Sequence, residues 1–236
     1  MTKTDAAHRY AIYFAPRPDS PWWQAGSQWL GRCALTQQAQ AQPAVSGVPA
    51  DIFGRLTAHP RRYGWHATLK APFMLAPGID EKQLRDATRQ LAKTLPSFTL
   101  PALQVSRLDD FLALVPADAS PAIDVVERAC VTVLHELAAP LPPTELQRRR
   151  AGGLTPAQEA LLLRWGYPFV LEAFRLHLSL TGSLAGVEPA QVLAIHEAAR
   201  KCFEPLPPCR FDNLALFAEP TPGADFVLLE HAEFGA

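Results

Sequence analysis

The chain has no Cys-x-x-Cys pair among its four cysteines, Cys33, Cys130, Cys202 and Cys209. Neither a zinc ribbon nor a dithiol redox centre is written in it, and reduced thiols packed in the core of a cytoplasmic protein are the expectation. His135-Glu136 opens like a zinc-protease motif, but Ala139 stands where the second histidine belongs, so no metal and no cofactor is expected. There is no surplus of positive charge either: 22 Lys and Arg against 23 Asp and Glu leave a net charge of -1. A protein that tracks long nucleic acid needs a broad basic surface, so long nucleic acid is not an expected partner. The longest charge-free stretch, Cys33 to Ala50, is full of Gln, Ser and Pro and cannot be a membrane span. Met1 to Arg9 lacks the apolar stretch of a secretion signal. Protein partners are not legible.

Proline, in contrast, is abundant: 23 of 236 residues, about twice the usual share of ~5%. A helical bundle running end to end is excluded, and many loops and strand boundaries are implied. With 48% apolar and 19% charged residues, the chain reads as globular, long enough for one large domain or two closely packed lobes.

The two halves resemble each other. Trp65-His-Ala-Thr-Leu-Lys70 is followed by a helical pattern from Asp80 to Leu95, then by Ser97–Leu100 and Phe111–Val115. Leu176-His-Leu-Ser-Leu-Thr181 is followed by a helical pattern from Pro189 to Phe203, then by strand-like Arg210–Phe217 and Phe226–Glu230. The helices rest on apolar residues spaced three and four apart: Leu84, Ala87, Leu91 and Leu95 in one; Val192, Ile195, Ala199 and Phe203 in the other. Two units of strand, helix, strand, strand stay nearly in register, over about residues 62–116 and 172–231. The pattern predicts an α+β fold of two pseudo-symmetric lobes, each with a β-sheet flanked by helices, around a central cleft. The whole of 1–236 is read as one two-lobed domain. Outside the units, a strand over Arg9–Ala15 and helices over Trp22–Cys33, Ala122–Leu137 and Pro156–Gly166 are predicted, with Thr36–Ala50 a loop.

A strand turns alternate side chains to opposite faces. His66, Thr68 and Lys70 therefore share one polar face, and Arg175, His177, Ser179 and Thr181 share another. Each face carries an imidazole and a hydroxyl two residues apart. Displacement at phosphorus needs a base for the attacking oxygen and an acid for the leaving one, and histidine serves as either near neutral pH. Thr68 and Ser179 can donate to the non-bridging oxygens. The alternative, two unrelated surface histidines, is weakened by their equivalent places in the repeat.

His66-Ala-Thr-Leu69 and His177-Leu-Ser-Leu180 resemble the paired motifs of the two-histidine (2H) phosphoesterase superfamily. Arg9-Tyr-Ala-Ile-Tyr13, Arg62-Tyr-Gly-Trp-His-Ala-Thr-Leu-Lys-Ala-Pro-Phe73, Leu154-Thr-Pro-Ala-Gln158, Trp165-Gly-Tyr-Pro168 and Phe174-Arg-Leu-His-Leu-Ser-Leu180 are similar to the branch often encoded beside carbon–phosphorus lyase genes. The resemblance implies two α+β lobes around a cleft and action on cyclic phosphates, related diesters or RNA ends, in a setting of phosphonate breakdown. Ser179 stands where threonine is commoner, which keeps the hydroxyl.

Around the motifs several residues have two readings. Lys70 and Arg175 contact phosphate or stand as solvated rim charges. Tyr13 and Tyr63 close the cleft or pack in the core; Tyr13 lies on the opposite strand face from Tyr10, Ile12 and Phe14. Arg148 and Arg149, in the run to Arg150, form a mobile clamp on a second phosphate or a solvated loop. Thr181 completes the second polar face. The expected activity is a metal-independent phosphodiesterase on a small cyclic phosphate or nucleotide-like diester. One of His66 and His177 is base and the other acid. An RNA-end cyclic phosphodiesterase or ligase and a non-catalytic phosphate-ester-binding protein are the rivals.

Overall fold

Strand β1 (Arg9–Phe14) is followed by helix α1 (Pro21–Leu30). The Ser20 hydroxyl caps α1 by accepting the Trp23 amide at 3.1 Å, and Gly31, at φ 84, ends it in the left-handed region. The computed structural model describes residues 7–235. Two short helices not anticipated from the sequence, α2 (Ala50–Leu56) and α3 (Ala58–Tyr63), meet at Thr57. At seven and six residues they are too short for an apolar period to show. The first repeat unit is β2 (Ala67–Phe73), α4 (Glu81–Lys93), β3 (Phe98–Thr99), β4 (Leu103–Leu108) and β5 (Phe111–Pro116). A capping box between Asp80 and Gln83 starts α4. Then come α5 (Pro121–Val133), α6 (Pro143–Arg150) and α7 (Pro156–Trp165). The second unit is β6 (Leu178–Ser179), α8 (Pro189–Phe203), β7 (Arg210–Phe211), β8 (Asn213–Glu219) and β9 (Val227–Glu233).

Seven strands form one antiparallel sheet in the order β4-β5-β6-β2-β1-β8-β9, and β3 pairs with β7 in a second, two-stranded sheet. The large sheet has two halves, β4-β5-β6 and β2-β1-β8-β9, joined through one residue pair, Ala67 with Leu178. Sequence repeat and spatial half do not coincide. The β4–β5 hairpin of the first unit pairs with β6 of the second, while the β8–β9 hairpin of the second pairs with β1, the neighbour of β2. The helices cross over as well: α4 packs on β8 and β9, and α8 on β4. Each repeat thus completes the other's half.

The core explains why this exchange holds. Leu84 and Leu91 of α4 and Ile195, Ala199 and Phe203 of α8 are buried in one cluster with strands of both halves. Phe203 stacks on Trp65 at 5.2 Å, just before β2. Trp65 lies so close to α1 that a Cβ on Gly26 would fall 2.1 Å from its ring, so no larger residue fits there. Among the described residues no helix is long and apolar enough to cross a membrane.

Candidate active site

Ala67 of β2 and Leu178 of β6 are antiparallel partners and fully buried. Their neighbours on each strand must therefore point to the opposite, open face. The register sets His66 across from Ser179 and Thr68 across from His177. Each imidazole position thus stands opposite the other strand's hydroxyl position, about a local twofold axis through the Ala67–Leu178 pair.

Both rings are tethered in the same way. His66 Nδ1 lies 2.9 Å from the Gly64 carbonyl, and His177 Nδ1 lies 2.8 Å from the Arg175 carbonyl. A carbonyl only accepts, so each Nδ1 carries the proton and each Nε2 is left for chemistry. His66 Nε2 is 3.2 Å from the Thr68 hydroxyl. Gly64 makes its tether possible: its φ of +79 suits glycine, and a Cβ there would fall 2.6 Å from that of Ala34.

The surroundings of the two rings differ. Tyr13, itself buried, stacks on His66 with centroids 3.7 Å apart and planes at 23°. Burial lowers the His66 pKa to about 4; the Gly64 carbonyl opposes the shift and the nearby His177 and His59 add to it. Burial also holds the Tyr13 phenol well above its ordinary value. The aromatic ring beside His177 is Phe111, tilted at 5.6 Å. Its pKa is lowered by burial too, against the pull of the Arg175 carbonyl.

Two adjoining cavities form the cleft. One of about 320 Å³ contains His66, Thr68, Ser179, Tyr13, Tyr63 and Arg148 in its lining. The other, about 700 Å³, contains His177, Thr68, Phe111, Arg107 and Arg175. Thr68, Ala71, Tyr167 and Phe169 line both. Tyr63 also packs on Phe226 at 5.0 Å, and Arg175 is exposed at the rim of the His177 side.

Three expected site residues are placed differently. Lys70 is buried away from this cleft, its Nζ 3.4 Å from the Val131 carbonyl, because a register shift in β2 between Thr68 and Lys70 breaks the alternation and turns Lys70 under α5. Thr181 is buried, and its hydroxyl accepts the Leu112 amide at 3.0 Å. Arg149 is a staple rather than a mobile clamp. It reaches Glu145 at 2.8 Å, the Gly166 carbonyl and the Pro72 carbonyl, with its guanidinium over Tyr167. The arginine run closes α6 instead of lying in a loop, where three cations suit the negative end of the helix. Arg148 lines the cleft, held by Glu145 at 2.7 and 2.8 Å. Hydrogen bonds from Arg148 and Arg149 outweigh burial and bring the Glu145 pKa down to about 2.

Arg9, His59, Tyr167 and Phe169 also line the His66 side, and sequence reasoning assigned them no role. Arg9 had a signal, since it lies four residues before Tyr13 on the same strand face. It is anchored at 2.5 Å by Glu219, which is fully buried on β8 and also pairs with Arg62. Burial opposes the Glu219 charge, but the two arginines and the Gly223 amide keep its pKa below the ordinary value. Among the described residues no group of three or more His, Cys, Asp and Glu is placed to hold a metal ion.

The family described as "Protein of unknown function (DUF1045)" matches residues 68–227. The chain is 39% identical over 98% of its length to a ribose 1,5-bisphosphate phosphokinase PhnN from Janthinobacterium sp. (strain Marseille), of which it covers 52%. It is 40% identical over 93% of its length to a protein of the same name from Laribacter hongkongensis (strain HLHK9), of which it covers 50%. The chain thus spans about half the length of the curated relatives it matches. Two solved structures are similar in outline. E. coli LigT complexed with NADP+ has a TM-score of 0.48 at 10% identity, over 98% of this chain and 100% of that one. A phosphoesterase has a TM-score of 0.43 at 10% identity, over 97% and 99%. The two-histidine resemblance stands on the chain's own motifs and their facing register.

Proposed function

This chain belongs to the family described as protein of unknown function (DUF1045), and from that premise we propose that it is a metal-independent two-histidine phosphodiesterase that opens a cyclic phosphate on a phosphorylated ribose. One observation carries the reading: His66 facing Ser179 and Thr68 facing His177 across the Ala67–Leu178 pair, with both Nε2 atoms unclaimed by the tethers. A tetrahedral phosphate between the strands would have an imidazole on each side and two hydroxyls for its non-bridging oxygens.

The roles follow from the difference between the rings. His66, with its pKa near 4, is neutral at physiological pH and serves as the base. Water attacks phosphorus as its proton passes to His66 Nε2. The bond from phosphorus to the sugar oxygen breaks, and that oxygen takes a proton from His177 Nε2. A bound phosphate anion next to His177 raises its pKa and supplies the protonated form. Water adds across one P–O bond, and a diester becomes a monoester.

The relatives' name supports a substrate class, a phosphorylated ribose. Ribose 1,5-bisphosphate is a C1 monoester beside a free 2-hydroxyl, so the cyclic diester that opens to it is the 1,2-cyclic phosphate of ribose 5-phosphate. Arg148, at the His66 cavity, is the group for the remote 5-phosphate. Phosphonate breakdown is the setting that the resemblance implies. The test is 31P NMR of this cyclic phosphate, its 5-dephosphorylated form and a 2′,3′-cyclic nucleotide with EDTA present. Conversion of the first to ribose 1,5-bisphosphate supports the reading; no turnover of any of the three, or turnover only with added divalent metal, overturns it.

A further inference from the structure

A third cavity, about 340 Å³, shares Ala71, Pro72, Arg149 and Tyr167 with the His66 side but contains neither catalytic histidine. Lys70, His135 and Arg164 are in its lining, and no aspartate or glutamate is. Lys70 is 4% exposed. Its hydrogen bond is the long one to Val131, and among the described residues it forms no ion pair. Glu127 is the acid whose field it feels; burial pushes that carboxyl up to about 7, and its Oε1 accepts the Leu171 amide at 3.1 Å. A buried ammonium without a counter-charge is costly. His135 adds a second orphan: its Nδ1 is buried with no partner, while Trp165 holds the ring edge-on at 5.0 Å. The three basic groups line one space, and burial lowers the pKa of this imidazole, with Lys70 and Arg164 adding to the shift and Glu136 opposing it. An oxyanion there would satisfy Lys70 and His135 together.

We propose that this cavity is a second anion site, separate from the histidine cleft, that takes a phosphate-sized oxyanion with Lys70 and His135 as its ligands. Arg149 and Tyr167 line both spaces, so an occupant is felt on the wall of the cleft. The probe is inorganic phosphate, titrated into the His66→Ala/His177→Ala double variant, in which the imidazoles of the cleft are gone. The readout is the imidazole 15N–1H spectrum of His135. A saturable shift is expected, weakened by roughly tenfold to a hundredfold in a triple variant carrying Lys70→Met, the size of one charge-assisted contact. Lys70→Gln replaces Lys70→Met if the latter does not fold. An unmoved His135, or equal titrations with and without Lys70, overturns the proposal. Kinetics of Lys70→Met in the otherwise unaltered protein identify the source: an unchanged KM for the phosphorylated diester marks a free oxyanion, and a raised KM marks the substrate's own phosphate.

Discussion

The two halves of the cleft carry the same tether, a histidine Nδ1 on the carbonyl two residues back, and meet across one residue pair. Beyond that they diverge. His66 lies under Tyr13 in the smaller cavity with Arg9, Tyr63 and Arg148. His177 faces the larger one, whose charged groups are Arg107, Asp109, Glu172 and Arg175. The repeated strand supplies two equivalent imidazoles in unlike surroundings; burial lowers both pKa values, that of His66 to about 4. Unlike surroundings are what let one imidazole act as base and the other as acid.

The strongest way to break the comparison is to remove each imidazole. His66→Ala and His177→Ala should each cost roughly 10²–10⁴ in kcat. With a nitrophenyl diester, whose leaving group needs no acid, His177→Ala should regain most of its rate and His66→Ala should not. Equal recovery in both would cancel the assignment of base and acid.

Next in size is the stack. Tyr13→Leu lets water reach His66, so its pKa should climb from about 4 toward the ordinary 6.5, and the acid limb of kcat/KM should move to higher pH. Phe111→Leu, beside His177 but tilted away, should leave that limb in place. Both limbs come from pH–rate profiles.

A smaller effect appears in stability. Below about pH 6.5 the unfolded chain protonates at residue 66 before the folded one does, so stability falls as pH drops from about 6.5 to 4. Urea midpoints across this range should fall less steeply for His66→Gln than for the parent; parallel curves would mean that His66 is not the buried neutral group. Smallest is Arg148→Ala, expected to reduce the preference for a terminal phosphate by about threefold to tenfold, since the arginine is solvated and already paired with Glu145. Arg149 is unsuitable for this test because it staples α6 to Gly166 and Pro72.

Much of this was legible beforehand. The α4 and α8 periods led to their observed positions, with Asp80 as the cap of α4 and Pro189 as the first residue of α8. Tyr13 was separated from Tyr10, Ile12 and Phe14 by alternation alone, and they fall in different core clusters. Helices α2, α3 and α6 were not legible, since none is long enough to display an apolar face against a core. His59 and Tyr167 reach the cleft through loops and helix ends, where no period operates.

Local sequence determined that His66 and Thr68 share a strand face, that His177 and Ser179 share another, and that two units repeat, because side-chain alternation and helical period are properties of the backbone itself. Tertiary structure decided which strands became neighbours, and so made two faces into one cleft through a single residue pair. It also decided what covers each face. Alternation alone would put Thr68 and Lys70 on the same side of β2, but a register shift pairs Thr68 with Tyr13 and Lys70 with Ile12, on opposite faces of β1, so one opens to the cleft and the other turns under α5. Alternation specifies the side on which a residue points only while no bulge interrupts the pairing, and long-range packing specifies both the bulge and whether solvent, substrate or another helix meets the residue there.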